Sequence, residues 1–242
     1  MINYTLQEIL TKKPNATVVF DRYFINYCCD ENLTLAEACK NADIDPAVVI
    51  KEIEKIQHKP FEKKYNNIHG LVSDILINHH KYLDQNFAKI TQLFESDLFN
   101  SGELKNVKNV FYELREVLEH HIQKEEKVLF PYIIKLVGMN KGNTKFEYSP
   151  FGSVKTVISV MNSDHKIVCN AIKLLLQTTK HFKIFSTSNG LLQQVYVSLR
   201  DLYLNLQRHM YLENYQLYPM SIELENSILN SYHKINQNRE EL

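Results

Sequence analysis

The sequence contains little glycine and proline, with 6 of each among 242 residues. Tight turns depend on these two residues, so their scarcity excludes a fold with many short connections and favours long helices. Apolar residues make up 44% of the chain, which is enough for a sizeable core. The length allows one large domain or two smaller ones.

Long apolar runs and an excess of one charge are also missing. No uninterrupted apolar stretch approaches the roughly 18 residues that cross a bilayer, so no membrane partner is predicted. Acidic and basic residues balance at 28 each, which gives no electrostatic support for binding nucleic acid. The N-terminal sequence MINYTLQEILTKK lacks the basic segment and apolar run of a signal peptide, and a cytoplasmic protein is expected.

Cysteine is scarce as well, since the chain has 4, and two of them, Cys28 and Cys29, are adjacent. This number and spacing do not make a disulfide framework. In a reducing compartment the side chains would be thiols, free to react or to bind metal. Cys39 and Cys169 are expected in the core.

Residues 1–60 are predicted to form a small helical N-terminal domain that carries the cysteine pair at a helix boundary. Asp45 followed by Pro46 is typical of a helix N-cap and first helical residue, and Thr34 can cap the segment after it. Residues 16–26 also have a helical pattern. The polar stretch HKPFEKKYNN at 58–67 indicates a linker.

Four long segments with helical periodicity follow, at roughly 69–95, 103–131, 153–180 and 190–218. The breaks between them contain Ser101-Gly102, a stretch at 138–152 with three glycines and a proline, and Ser188-Asn189-Gly190. The simplest arrangement is an all-α, up-down four-helix bundle over residues 68–225. Residues 226–242 are interpreted as a C-terminal tail.

An eleven-residue pattern occurs twice in these helices, as HIQKEEKVLFP at 121–131 and HMYLENYQLYP at 209–219. Both copies have His at the first position, Glu at the fifth, Leu at the ninth and Pro at the eleventh. A His and a Glu four residues apart lie on one helix face. A single pair of this kind is usually solvated, but the repetition of the whole pattern favours a site built from His121, Glu125, His209 and Glu213.

Two further histidines, His80 and His165, lie at matching heights in the other two helices. In an antiparallel pair, residues at one height are equidistant from the connecting turn. The midpoint of His80 and His121 falls beside Ser101, and that of His165 and His209 falls beside Ser188. All four helices can therefore bring a histidine to one level.

The residues adjacent to these positions have plainer interpretations. His79 and His120 point about 100° away from their neighbours and are expected at the surface or against a ligand. His79 in place of His80 remains an alternative register, whereas Lys124 stands four residues after His120 and excludes that alternative. Leu129 and Leu217 are expected in the core. Phe130 and Tyr218 precede the prolines and are expected to help end or bend the helices.

Four imidazoles and two carboxylates in a bundle core would be costly to bury without a cation. Nitrogen and oxygen ligands without thiolate suit iron, manganese or zinc. Two carboxylates are natural bridges between two ions, with two histidines on each ion. This low number of protein ligands leaves room for an oxo bridge or a small exogenous molecule.

The combination of Tyr27-Cys28-Cys29 with the two His-Glu patterns resembles the di-iron iron–sulfur cluster repair proteins, the RIC family, over nearly the whole chain. That resemblance implies a hemerythrin-like domain with two non-haem iron ions, bridged by glutamates and an oxo group. It assigns the iron ligands to His80, His121, Glu125, His165, His209 and Glu213. The chain departs from the family at Asp30-Glu31, where two glycines are common. Two carboxylates there should raise the pKa of the Cys28 and Cys29 thiols.

The resemblance implies a stress-response protein that supplies iron to iron–sulfur proteins damaged by nitric oxide or peroxide, with Cys28 and Cys29 as a thiol relay. Two alternatives remain: an enzyme that reduces nitric oxide or a nitrogen oxide, and a module that binds oxygen or nitric oxide reversibly. An iron donor is favoured over a catalyst. The N-terminal domain is compatible with an approach to the metal of its own chain or with pairing to a second chain in a homodimer.

Overall fold

The structure, a computed structural model, describes residues 1–56, 65, 67–100, 102–183 and 189–240. The chain divides into two compact units, Met1–Lys64 and Tyr65–Leu242. All regular segments in the described residues are helical, which confirms the predicted all-α class. Most of the predicted linker at 58–67 lies outside the described residues. Within them, no helix combines the length and apolarity needed to cross a membrane.

The N-terminal unit contains four short helices: α1 (Leu6–Lys12), α2 (Ala16–Arg22), α3 (Leu35–Asn41) and α4 (Pro46–Lys55). Thr5 and Thr34 cap α1 and α3, each through a reciprocal capping box with a glutamate three residues later. The predicted cap at Asp45 is confirmed, because its carboxylate accepts a hydrogen bond from the backbone of Ala47 at 2.8 Å.

The cysteine pair is not at a helix boundary. Helix α2 ends at Arg22 rather than near residue 26, and Phe24 has a positive φ of 53°. Cys28 and Cys29 lie in a turn that the backbone bond from Asp30 N to the carbonyl of Asn26 closes at 2.9 Å. Cys28 and Cys39 are buried, and burial together with Asp45 raises the pKa of the Cys39 thiol to about 11.

The described part of the second unit contains four continuous helical rods, as the bundle prediction requires, and a short 3₁₀ helix at Asp97–Phe99. Rod 1 spans 68–93, with α5 (Ile68–Asp74), a π-helical turn (Ile75–His80) and α6 (Lys81–Leu93). Rod 2 spans 102–140, with α7 (Gly102–Lys124), a π-helical turn (Glu125–Leu129) and α8 (Phe130–Asn140). Rod 3 is α9 (Val154–Thr178). Rod 4 spans 190–240, with α10 (Gly190–Leu212), a π-helical turn (Glu213–Leu217) and α11 (Tyr218–Glu240).

Rods 2 and 4 are longer than the sequence predicted, because Pro131 and Pro219 do not end them. Each proline stands at the second position after a π-helical turn, and the helix continues. A proline ring normally clashes with the carbonyl four residues earlier. The wider turn changes the position of that carbonyl and gives the ring room. Residues 226–240 of the predicted tail consequently continue α11.

The rods pack with α7 against α9 and α6 against α10. Apolar side chains fill the bundle on both sides of the histidine level. One layer is aromatic and contains Phe87, Phe94, Phe99 and Phe111. The other includes Ile75, Leu129, Ile133, Met161 and Leu217. The polar level between them is therefore enclosed by core.

A buried carboxylate joins three segments at one end of the bundle. Glu225 accepts hydrogen bonds from the Tyr132 hydroxyl at 2.7 Å and from the Ser153 hydroxyl at 2.8 Å. It also accepts from the backbone of Val154, at 2.9 and 3.0 Å to its two oxygens. Glu225 thus caps the first turn of α9 from rod 4 and fixes where rod 3 begins.

Candidate metal centre

Six polar side chains from the four rods meet at one level of the bundle. Each is 6% exposed or less, and the two glutamates are fully buried. They are the side chains that the sequence singled out: His80, His121, Glu125, His165, His209 and Glu213. The structure therefore places the predicted ligand set together and selects His80, rather than His79, as the residue facing the cluster.

The six residues form two overlapping groups of four, in each of which ligand atoms lie within 4.8 Å of one another. Site 1 consists of His80, His209, Glu125 and Glu213, and site 2 consists of His121, His165, Glu125 and Glu213. Both glutamates belong to both sites. Each site could hold one cation, with the two carboxylates between the cations.

Distances in site 1 are short. His209 Nε2 lies 2.9 Å from Glu213 Oε1 and 3.7 Å from Glu125 Oε2. His80 Nε2 lies 3.3 Å from Glu125 Oε2 and 3.2 Å from His209 Nε2.

Site 2 has the same pattern. His165 Nε2 lies 3.2 Å from Glu213 Oε2 and 3.2 Å from His121 Nε2. His121 Nε2 lies 3.5 Å from Glu125 Oε2. In both sites the Nε2 atoms and the carboxylate oxygens converge on one point.

This convergence fits a cation better than it fits protons. Two facing ring nitrogens can share one proton in an N–H···N hydrogen bond, but that proton is then not available to the carboxylate oxygens that face the same point. Glu125 Oε2 and Glu213 Oε2 are also buried and accept no hydrogen bond in the described part of the chain. A cation in each site would accept all of these lone pairs.

The protein environment favours ligand-competent forms at several positions. Burial lowers the pKa of His121 and lowers that of His209 well below its ordinary value, so both favour the neutral ring. Burial raises the pKa of Glu213, but the interactions with His165, Glu125 and His121 together outweigh burial and lower the pKa to about 2. Burial opposes charge on His80 and His165 too, yet the neighbouring glutamates raise the pKa of both. Metal binding to these two rings would therefore release protons.

The outer ring nitrogens of two histidines have partners from the next rod. His80 Nδ1 lies 2.8 Å from Glu126 Oε1, and His165 Nδ1 lies 3.2 Å from Asn214 Oδ1. A ring that donates from Nδ1 keeps its lone pair on Nε2, the atom that faces the site. His121 Nδ1 lies 3.8 Å from Asp164 Oδ2, which is too long for a hydrogen bond.

Two aromatic rings cover the site from equivalent positions of the repeated pattern. Phe130 stacks on His80, with ring centroids 5.5 Å apart, and Tyr218 stacks on His165 at 6.1 Å. The Tyr218 hydroxyl donates to Glu125 Oε1 at 3.3 Å. Burial and the two glutamates raise the pKa of Tyr218 well above its ordinary value, so the hydroxyl keeps its proton.

Other neighbours of the ligands differ in environment. His120 is exposed, as expected. His79 is buried: its ring stacks on that of His209 at 5.6 Å, and its Nδ1 lies 3.1 Å from Asn205 Oδ1. His79 thus contacts His209, a predicted ligand, which is one of the two environments expected for it.

The sequence reasoning missed Glu126, Asn214 and the contacts of Tyr218. A signal for them was available, because the two copies of the pattern are offset by 88 residues throughout. That offset aligns Glu126 with Asn214 and Phe130 with Tyr218. The contacts themselves depend on which rod lies next to each position, which the pattern alone does not give. The thiol-relay candidates Cys28 and Cys29 belong to the N-terminal unit and are not part of this cluster.

Comparison with known proteins agrees with the geometry. Residues 71–221 match the family described as the hemerythrin HHE cation binding domain, and residues 2–57 match a domain of unknown function, DUF542. The chain is similar to the iron-sulfur cluster repair protein YtfE of Escherichia coli O17:K52:H18, with 24% identity over 223 residues, 90% of this chain and 96% of that protein. The YtfE protein of Escherichia fergusonii matches with the same identity and coverage. The predicted resemblance to iron–sulfur cluster repair proteins is confirmed.

Proposed function

Because the chain belongs to the hemerythrin HHE cation binding domain family, we propose that it is a two-iron protein that takes part in repairing damaged iron–sulfur clusters. The observation that carries the proposal is the pair of overlapping four-ligand groups that share Glu125 and Glu213. The relatives that match over 90% of the chain carry the repair function in their names. We propose nitrosative or oxidative stress as the setting of this repair.

The ligand set suits iron that the protein must release to another protein. Imidazole and carboxylate ligands without thiolate suit divalent iron, which also binds weakly in the divalent series. Each site offers two imidazoles and two carboxylates shared with the other site. When bound, the iron would supply a centre that can react with small molecules such as nitric oxide or oxygen. In the proposed function, the iron itself is the cargo.

The chain's own residues have separate roles in this function. Glu125 and Glu213 would bridge the two ions, and the four imidazoles would fix each ion on its own side. Tyr218 holds Glu125 through its hydroxyl. The apolar layers on both sides of the cluster exclude water along the bundle axis.

In their reduced, thiol form, Cys28 and Cys29 are proposed to receive or relay iron on its way to the damaged protein. The double variant Cys28→Ser/Cys29→Ser tests this role separately from metal binding. We expect it to keep its iron and to lose repair of a damaged cluster protein. Unchanged repair by the variant would remove the relay from the proposal.

The first experiment measures iron content per chain and the near-ultraviolet absorption of a bridged iron pair. We expect about two iron ions in the wild type, since four imidazoles and two bridging carboxylates suffice for a pair, and a loss of both iron and absorption in Glu125→Ala/Glu213→Ala. The exposed variant His120→Ala is the matched control and should keep its iron. Little metal in the wild type, or metal unaffected by the double variant, would contradict the proposal.

The second experiment separates iron supply from the alternatives. The iron-loaded protein is mixed with a cluster protein damaged by nitric oxide, and recovery of its activity is followed beside the iron lost from the donor. Recovery matched by iron loss supports repair by supply. Turnover of nitric oxide with an electron donor, absent in His209→Ala, would favour a reductase, and reversible binding without iron loss would favour a sensor.

A further inference from the structure

The two metal sites are built from a repeated pattern, but the repeat is broken at the residue after each shared glutamate. Glu126 follows Glu125, and Asn214 follows Glu213. Both side chains have the same task, since each lies at the Nδ1 of a histidine from another rod. Glu126 is a carboxylate that contacts His80 of site 1 at 2.8 Å, whereas Asn214 is a neutral amide that contacts His165 of site 2 at 3.2 Å.

This difference changes how strongly the two rings can bind a cation. A hydrogen bond from Nδ1–H to a carboxylate is charge-assisted, and it raises the basicity of the Nε2 lone pair. A hydrogen bond to an amide oxygen orients the ring but adds no charge. Partners of this kind typically change metal affinity by about 10- to 100-fold when they are removed.

The other charged group near the outer nitrogens does not cancel the difference. Asp164 lies 3.8 Å from His121 Nδ1 in site 2, and the Lys124 ammonium contacts both of its oxygens, at 2.7 and 2.9 Å. Lys124 therefore offsets part of the Asp164 charge, and Asp164 makes no hydrogen bond to the ring. Glu126 has no lysine or arginine partner among the described residues.

The remaining ligand, His209 of site 1, has an outer nitrogen without a hydrogen bond in the described part of the chain. Its ring is held by stacking on His79. Among the described residues, the carboxylate within hydrogen-bond distance of an outer ring nitrogen is thus Glu126, and it acts on site 1.

We propose that the two metal sites are unequal, with site 1 binding its divalent cation more tightly and site 2 exchanging its cation first, and that Glu126 and Asn214 set this difference. The inference rests on the proposed function in that it assumes both sites take a cation. It assigns the delivered ion to site 2 and a retained ion to site 1.

The test is a titration of the full chain with cobalt(II), whose absorption spectrum reports the ligand environment. We expect two binding steps of different affinity in the wild type. Glu126→Gln keeps the shape and a hydrogen-bond acceptor but removes the charge, and it should weaken the tighter step about 10- to 100-fold while leaving the weaker step unchanged. Asn214→Asp should tighten the weaker step, and the double exchange should reverse the order.

Variants that keep the histidines of only one site assign each cobalt-binding step to a site. His121→Ala/His165→Ala leaves the histidines of site 1, and adding Glu126→Gln should weaken its remaining step. The same exchange added to His80→Ala/His209→Ala should have no effect, because that protein keeps only the histidines of site 2. Glu116→Gln, an exposed carboxylate on the same rod, is the matched control for a general effect of charge.

Two equal steps in the wild type, or equal weakening of both steps by Glu126→Gln, would overturn the inference. Because both Glu126→Gln and Asn214→Asp keep the ligands, they also test it if the alanine variants fail to fold. Unequal steps that follow Glu126 and Asn214 would support it even if the protein fails to restore a damaged cluster. A failure to restore a damaged cluster would contradict the proposed function alone.

Discussion

At the scale of single residues, some side chains look equivalent in the sequence but differ in their contacts with the predicted ligands. His79 and His120 each precede a ligand, yet one is buried against His209 and the other is exposed. Phe130 and Tyr218 occupy the same place in the repeated pattern, yet only Tyr218 has a hydroxyl that reaches Glu125. Both pairs provide matched experiments.

The first pair tests the support of His209. We expect His79→Ala to lower the free energy of unfolding by about 2 kcal/mol, because it leaves a cavity beside a ligand and removes the contact with Asn205. Metal affinity should fall too, since His209 loses the ring that holds it. Urea unfolding and cobalt titration measure both effects. His120→Ala is the control, with a change within about 0.5 kcal/mol, and equal effects of the two variants would contradict the assignment.

The second pair tests the hydroxyl of Tyr218. Tyr218→Phe should keep two metal ions, because no ligand is removed, but it leaves Glu125 Oε1 without this donor. We expect a loss of about 1–3 kcal/mol in the free energy of unfolding, the usual effect of removing a partner of a buried charged group. Tyr148→Phe, at an exposed tyrosine, controls for the loss of a hydroxyl. A shift of the near-ultraviolet band in Tyr218→Phe alone would show that the hydroxyl acts on the bridging carboxylate.

At the scale of elements, the π-helical turns explain why the ligands could be predicted from the sequence and their surroundings could not. The spacing of four between His121 and Glu125 lies within one regular turn, so helical periodicity is enough to pair them. The turn that follows is wider, and it shifts every later residue of rod 2 around the helix axis. Phe130 therefore reaches His80 instead of ending the helix at Pro131, and rod 2 continues to Asn140.

A substitution at Glu225 tests the contact that fixes the start of rod 3. The sequence did not reveal this contact. Glu225 accepts from Tyr132, Ser153 and the backbone of Val154, so it links α8, α9 and α11. Glu225→Ala should lower the free energy of unfolding by about 2–4 kcal/mol, because it leaves buried donors without an acceptor. Iron content at saturation should not change, since no ligand is touched. Glu223→Ala, at an exposed position two residues earlier, is the matched control, and equal losses in urea unfolding would contradict the role of Glu225.

At the scale of the whole molecule, the bundle combines a well-packed apolar interior with one level of buried polar side chains. Without a cation, these side chains have too few hydrogen-bond donors. The apolar periodicity of four segments was enough to predict the bundle, because burial of one face per helix determines that arrangement. The positions of the connecting turns were enough to predict that the four histidines lie at one level. The contact of Glu225 with α9 depends on α11 running beyond Pro219, where the sequence predicted that the fourth helix ends, and periodicity carries no information about such a contact.

Removal of metal should therefore weaken the whole bundle and not only the site. Without cations, two carboxylate oxygens and facing imidazole nitrogens stay buried with too few donors. A ligand present at 100 times its dissociation constant stabilises the folded state by about 2.7 kcal/mol, so a chelator should lower the unfolding temperature by several degrees. Calorimetry of the loaded and chelator-treated protein measures this difference. In Glu125→Ala/Glu213→Ala the buried charges are gone, so the chelator should have no effect, whereas His120→Ala should respond like the wild type. A wild type that is equally stable with and without metal would mean that the six side chains are satisfied by protons, and that cation binding contributes little to the folded state.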